Sequence, residues 1–231
     1  MVLTGAGISA ESGLSTFRGT NGTWNDVPIE EVATPEAYER DPARVHAFYD
    51  ARRAQLAGVE PNGAHRALAR LAEGLRERGG ALALVTQNVD DLHERGGSTD
   101  VVHMHGRLTR ARCTGSGHVH EWHEDLGHPD TPKGRPCPTC GAPLRPDIVW
   151  FGEVPHHLDQ ITDALMRADL FVAIGTSDLV YPAAGFVMEA REAGIPTLEI
   201  NPEPSGAPFD AVRAGPATRE VPDWVDEVLA G

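Results

Sequence analysis

The sequence predicts an α/β fold: a doubly wound parallel sheet carrying a smaller lobe built from inserts. Three observations carry that reading. Short, mainly apolar runs recur at 2–4, 81–86, 170–174 and 197–200, the pattern of strands buried on both faces. Amphipathic helical stretches lie between them, at about 62–78, 157–167 and 182–194, and such alternation closes into a parallel sheet wound on both sides. Two stretches break the rhythm: residues 24–56 read as helical with no strand, and 107–147 are rich in Gly, Pro, Cys and His with short β-like pieces. Both read as insertions that stack into a second lobe over the sheet's edge and leave a cleft between the lobes. The expected organisation is one domain, 1–231, with a large lobe from 1–23, 57–106 and 148–231 and a small lobe from 24–56 and 107–147.

Taken in order, the first strand runs straight into Gly5-Ala6-Gly7-Ile8-Ser9-Ala10, which fits the dinucleotide pattern G-x-G-x-x-G/A of a Rossmann-like sheet. There the first glycine is expected to allow a tight turn and the second to let the backbone approach a pyrophosphate. The small Ala10 is expected to let helix and strand pack closely. The helix that follows would point unpaired N–H groups at phosphates. Small residues at such a turn are also common as packing alone. Asn62 suits the cap of the next helix, which ends before Gly79-Gly80. The strand at 81–86 leads to Gln87, Asn88 and Asp90 at its end, and a short helix at 90–95 that Asn88 or Asp90 would cap. The helix after Pro182 stops at Gly194, and the last apolar strand follows at 197–200.

Composition narrows the function. The chain of 231 residues is 40% hydrophobic, enough for a packed core. Its 34 acidic residues against 20 basic give a net charge of −14, which repels nucleic-acid backbones. No apolar run reaches bilayer-spanning length, and the start has neither a basic segment nor a cleavage site. A soluble, cytoplasmic protein with no nucleic-acid or membrane partner is expected, as a monomer. Three cysteines do not form a disulfide framework.

Five segments then come together: 5–19 (GAGISAESGLSTFRG), 86–90 (TQNVD), 103–106 (HMHG), 149–153 (VWFGE) and 175–177 (GTS). In this order they resemble the signature of the sirtuins, the NAD-dependent protein deacylases, in their bacterial class III type. The resemblance covers nearly the whole chain. It also explains why 11–19 replaces the helix and acid-tipped second strand of a dehydrogenase: this segment looks like a loop that folds over the cofactor. Many relatives carry a helix before the first strand, so the chain reads as starting late, with the sheet edge weakened.

The resemblance implies a reaction. The acyl-lysine carbonyl oxygen attacks the anomeric carbon of the nicotinamide ribose, nicotinamide leaves, and a base then activates a ribose hydroxyl. Water completes the conversion to free lysine and O-acyl-ADP-ribose. His105 would be that base, a role suited to an imidazole whose ordinary pKa lies near working pH. Asn88, with His105, would be catalytic, and Asn88 and Asp90 would hold the nicotinamide amide. The remaining cofactor contacts implied are Gly5, Ala6, Gly7, Ser9, Glu11, Phe17, Arg18, Trp24, Gln87, Val89, Gly175, Thr176, Ser177, Asn201, Glu203 and Ala217. Phe17 would shield the reactive ribose face and Arg18 would order the loop. Val149, Phe151, Gly152 and Val180 would meet the acyl-lysine segment.

Tyr49 and Arg52 are three residues apart on a predicted helix and share a face. By resemblance such a pair lines the acyl pocket, where Arg can grip a carboxylate and Tyr adds a hydroxyl, suiting succinyl- or malonyl-lysine beside acetyl-lysine. The bland reading is an exposed arginine on an amphipathic helix. Cys137-x-x-Cys140 with Cys113 upstream suggests a structural zinc in a ribbon-like lobe. Sirtuins generally carry four such cysteines, and here Ser116 stands at the fourth position. A histidine (His118, His120, His123 or His128) completes the site, or the site is weak, or packing alone holds the lobe. No catalytic role for the metal is expected. The partners implied are acylated proteins, metabolic enzymes among them. Competing readings are a protein mono-ADP-ribosyltransferase, a non-catalytic module that binds NAD or acyl-lysine, and a plain NAD oxidoreductase.

Overall fold

The structure, a computed structural model, describes residues 1–14, 27–177 and 182–231, with the backbone of the two-residue strands at 17–18 and 23–24. In chain order it opens with β1 (Val2–Thr4), the single-turn α1 (Gly7–Ala10), and β2 (Phe17–Arg18), β3 (Thr23–Trp24) and β4 (Val27–Pro28). Helices α2 (Ile29–Val32), α3 (Pro35–Arg40), α4 (Pro42–Ala57) and α5 (Gly63–Glu77) follow. Then come β5 (Leu84–Thr86), α6 (Leu92–Arg95), β6 (Val101–His103), β7 (Gly106–Cys113), β8 (Val119–Glu121) and β9 (Leu144–Ile148). The chain ends with α7 (Leu158–Met166), β10 (Phe171–Ile174), α8 (Phe186–Glu192), β11 (Thr197–Asn201), β12 (Ala211–Ala214) and α9 (Ala217–Ala230).

Among the described residues six strands form one sheet in the order β12-β11-β10-β1-β5-β6, every pair parallel. This is the doubly wound order, with its switch point between β1 and β10. β1 is therefore central, and the expectation of a weakened edge at the first strand does not hold. Alternate residues feed opposite faces, as the pleat requires. Val2, Leu84, Val172 and Leu198 pack on α5 and α9 through Leu68, Leu71, Val221 and Trp224. Leu3, Val85, Phe171 and Ala173 pack on α7 and α8 through Ile161, Leu165, Phe186 and Val187.

The predicted helix at 62–78 is α5, and Asn62 is its cap. The Asn62 side chain accepts from the Ala64 N–H, while His65 Nδ1 accepts from the Asn62 N–H. The predicted helix at 182–194 begins as a tight 3₁₀ turn, Ala183–Gly185, before α8. Proline at the first turn and a capping side chain, Thr34 for α3 and Asp41 for α4, start the insert's helices. The sequence reading of 24–56 as helical with no strand is corrected here: β2, β3 and β4 pair antiparallel at its start.

Residues 107–147 carry a three-stranded antiparallel sheet, β8-β7-β9, with a small core of Ala111, Cys113, Leu126, Cys137 and Leu144. A separate cluster joins α2–α4 to the rest through Val45, Tyr49, Leu92, Leu108, Ile148 and Trp150. No helix among the described residues is long and apolar enough to cross a membrane.

Candidate active site

A cleft of about 740 Å³ opens at the C-terminal ends of the parallel strands, where such sheets bind ligands. Five loops reach it because five strands end there: Gly5 to Ser9 after β1, Gln87 to Asp90 after β5, His105 after β6, Gly175 to Ser177 after β10, and Asn201 to Ser205 from β11.

The glycine loop has a structural reason beside the one expected. A Cβ on Gly5 would stand 2.6 Å from the Gly175 carbonyl oxygen, and one on Gly7 2.6 Å from the Gly175 Cα. Gly175 itself has φ +60°. The loops after β1 and β10 thus cross backbone to backbone at the switch point, and glycine is what permits the contact. The expected fan of unpaired helix N–H groups is also absent: Gly7 donates to Gly175 O, Ile8 to Gly5 O and Ser9 to Ala6 O. Ala10, expected to let helix and strand pack closely, is exposed; Ile8 and Ser9 are the buried residues of that turn.

His105 is half-buried, and its Nδ1 lies 3.1 Å from the Gln87 carbonyl oxygen. A carbonyl only accepts, so Nδ1 carries the proton and Nε2 keeps a lone pair. Burial lowers the His105 pKa to about 4, with the Gln87 carbonyl opposing, so the ring is neutral at pH 7. Gly106 explains the motif's second member. Its φ is +82°, and a Cβ there would stand 1.9 Å from the Asp147 carbonyl oxygen on β9. Only glycine lets β7 leave the sheet against β9 directly after His105.

Beside it, Ser9 Oγ donates to Asp90 Oδ2 at 3.0 Å and accepts from Asn88 Nδ2 at 3.2 Å. Asp90 Oδ1 accepts from the Leu92 N–H, so the helix-starting role weighed from sequence and a place in the cleft coexist. Burial raises the Asp90 carboxyl to about 6. On the far side, Asn201 Nδ2 donates to the Thr176 carbonyl at 2.8 Å and to Glu199 at 3.2 Å. Glu199 also accepts from the Ser205 N–H, so this buried acid, missed from sequence, shapes the loop that carries Glu203.

Tyr49 and Arg52 leave α4 into the same cleft. Tyr49 is fully buried and its hydroxyl accepts from Trp150 Nε1 at 3.1 Å; burial raises its pKa. Arg52 donates to the Phe48 carbonyl, and its guanidinium carbon lies 3.3 Å from the Phe48 ring centre. Burial lowers its pKa to about 10, which leaves it charged at neutral pH. The 149–153 segment is held by Arg145, which pairs both carboxylate oxygens of Glu153 at 2.8 Å and lies over Trp150. Sequence reasoning missed Arg145, although its partners Glu153 and Trp150 both lie inside the 149–153 motif. Val89, Val149, Phe151 and Gly152 line the cleft.

Two expected cofactor residues are not in it. Glu11 is occupied by the start of α9, accepting from the Thr218 N–H at 3.1 Å and its hydroxyl at 2.8 Å. Ala217 is buried in the core beneath the sheet. The side chains of Phe17, Arg18 and Trp24, and the whole of Val180, lie outside the described residues.

The profile of the Sir2 family matches residues 5–182. The chain belongs to the Sir2 family. Among its Sir2 relatives, an NAD-dependent protein deacylase of Caulobacter vibrioides is 55% identical over 236 residues, covering 99% of this chain and 96% of its own. One of Escherichia coli K12 is 52% identical over 237 residues, covering all of this chain and 82% of its own. A solved Sir2 homologue in complex with NAD superposes with a TM-score of 0.87 at 40% identity, over 99% of this chain and 88% of that one. A Sir2 complex with a p53 peptide and NAD⁺ gives 0.80 at 26%, over 100% and 93%.

Away from the cleft, the sulfurs of Cys113, Cys137 and Cys140 lie within 4.8 Å of one another. Such a donor set can hold a metal ion. The Ser116 N–H donates to Cys113 Sγ at 3.4 Å, and with the Ser116 hydroxyl it lowers the Cys113 pKa, toward the thiolate that a metal needs.

Proposed function

We propose that this chain is an NAD-dependent protein-lysine deacylase that removes acetyl groups and also succinyl or malonyl groups. The products are nicotinamide, O-acyl-ADP-ribose and free lysine. The observation that carries the reading is one cleft containing a neutral His105 with its Nδ1–H on Gln87, the Asn88–Ser9–Asp90 network, and a buried Arg52. The whole chain acts as a single catalytic domain, with its large lobe at 1–23, 57–106 and 148–231 and its small lobe at 24–56 and 107–147.

NAD enters as substrate. Asp90 and Asn88 offer an acceptor and an amide to the nicotinamide carboxamide, deep in the cleft. Gly5, Ala6, Gly7, Ser9, Gly175, Thr176 and Ser177 line the middle, where the pyrophosphate and ribose lie, and Asn201 and Glu203 take the adenosine end. Gln87 meets ribose hydroxyls, and Val89 packs beside them. Val149, Phe151 and Gly152 receive the acyl-lysine main chain. The acyl oxygen bonds to the anomeric carbon as the bond to nicotinamide breaks; His105 Nε2 then takes a proton from a ribose hydroxyl, whose oxygen attacks the activated acyl carbon, and addition of water completes the transfer as the lysine amine leaves with a proton. Arg52 and Tyr49 meet the distal end of the acyl chain, and a carboxylate there restores the solvation that Arg52 lost on burial. Substrates are acylated proteins, metabolic enzymes among them.

The test is mass spectrometry of reactions with NAD⁺ and one peptide bearing acetyl-lysine or succinyl-lysine. O-acyl-ADP-ribose from either, abolished by His105→Ala, is the expected result. ADP-ribose left on protein, or no product while NAD⁺ still binds, would overturn the proposal.

A further inference from the structure

The three cysteines leave a tetrahedral zinc site one ligand short, and Ser116 occupies the turn where a fourth would come. We propose that His120 is that fourth ligand, so the ribbon holds zinc in a Cys₃His set of Cys113, Cys137, Cys140 and His120. His120 lies on β8, paired with Ala111 on β7, two residues before Cys113. Cross-strand partners and residues two apart share a sheet face, so His120 and Cys113 project to the same side. Its Nε2 stands 3.4 Å from Cys137 Sγ, and Cys113 and Cys140 Sγ are 3.3 Å apart. With Zn–S of about 2.3 Å and Zn–N of about 2.0–2.1 Å, a tetrahedron has a sulfur–nitrogen edge of about 3.6 Å. The imidazole already lies at about one edge length from one thiol. It meets Cys137 alone here, so closing the site requires the ring to swing toward the other two sulfurs.

The alternatives lack that geometry. A serine hydroxyl must lose its proton to bind as strongly as a thiolate, whereas neutral imidazole and thiolate are ordinary zinc donors. Ser116 instead gives N–H and O–H bonds to Cys113, the part played by residues around a metal's own ligands. His128 Nδ1 is taken by the Asp130 N–H, and His118 and His123 are exposed.

The experiment uses the full chain loaded with Zn(II). X-ray absorption is expected to give three sulfurs and one nitrogen, with the outer-shell pattern of an imidazole. Competition with a chromophoric chelator is expected to show zinc bound at least about tenfold more weakly by His120→Ala, and less weakened by Ser116→Ala, which keeps the backbone N–H on Cys113. Three sulfurs with an oxygen, no zinc retained by the parent, or weakening in Ser116→Ala alone would overturn the assignment. The absorption spectrum of the parent decides even where His120→Ala fails to fold.

Discussion

Arg52→Met tests the acyl pocket most directly. Arg52 is 7% exposed, stacked on Phe48 and desolvated enough for its pKa to fall to about 10. At pH 7.5 it is charged and largely shielded from water, so an entering carboxylate makes its charge-assisted pair in a poorly screened place. Such a contact contributes about 1.5–3 kcal/mol, or about ten- to a hundredfold in kcat/KM. Acetyl-lysine has no carboxylate and loses only the packing that the guanidinium provides over Phe48, about 0.5–1 kcal/mol, or less than about fivefold. The assay is kcat/KM at saturating NAD⁺ on one peptide carrying succinyl- or acetyl-lysine in turn. The succinyl loss should appear chiefly in KM, because the contact is made in ground and transition states alike. Arg52→Lys, which keeps charge without the planar fork, should fall between. Equal losses on both peptides would refute the reasoning and return Arg52 to a packing role.

Three further outcomes are expected. The free-enzyme profile of kcat/KM should carry a His105 limb near pH 4, the value to which burial lowers it, and an inflection near 6.5 that persists in Asp90→Asn, where the Asp90 carboxyl near 6 is gone, would contradict the assigned environment. Stability should fall on acidification: burial holds His65 at about 4 and His93 at about 3, below the unfolded value near 6.5, so protons favour the unfolded chain from pH 6.5 downward. At pH 5 each costs about 2 kcal/mol, while Asp90, raised to about 6, returns about 1.4 kcal/mol, a net loss to be read from denaturant midpoints at pH 7 and 5. Gly106→Ala combines a positive φ with a Cβ inside the Asp147 carbonyl contact, so a loss above about 2 kcal/mol is expected in urea unfolding; a neutral result would deny the crossing its role.

What was legible followed from burial and local capping. The runs at 2–4, 170–174 and 197–200 read as strands because each lies between two helical layers, and Asn62 read as a cap because its partner is three residues away. β12 escaped notice: it is an edge strand, largely exposed, and its Ala-Val-Arg-Ala carries no periodic apolar signal. The strand expected at 81–86 pairs only at Leu84–Thr86. The misread residues share one cause, a partner far away in sequence. Gly5 and Gly7 answer to Gly175, and Glu11 to Thr218; Arg145 is a different case, since its partners Glu153 and Trp150 are near in sequence and only the fold shows that they meet.

Helix α4 shows how the ribbon bears on the chemistry without joining it. Tyr49 and Arg52 face the cleft, but their neighbours Asp50 and Arg53 face the other way. The Asp50 carboxylate accepts from the Leu126 N–H at 2.9 Å and the Gly127 N–H at 2.8 Å, and pairs with Arg53 at 2.6 Å. Arg53 donates in turn to the Leu108 carbonyl on β7. Gly127 lies so close that a Cβ there would be 3.0 Å from Asp50 Oδ2. The acyl-pocket face of α4 is therefore set by a buried ion pair bolted to the cysteine ribbon. Removing one partner of such a pair leaves an uncompensated charge, at about 3–5 kcal/mol. His105, Asn88 and Asp90 hang from β5 and β6 instead, and reach this anchor only indirectly, through the Leu108 N–H on the Val89 carbonyl and the Val149 N–H on the His105 carbonyl. Loosening the ribbon should thus disturb the cleft face of α4, which the ion pair holds directly, more than it disturbs His105, which the ribbon touches only through backbone hydrogen bonds.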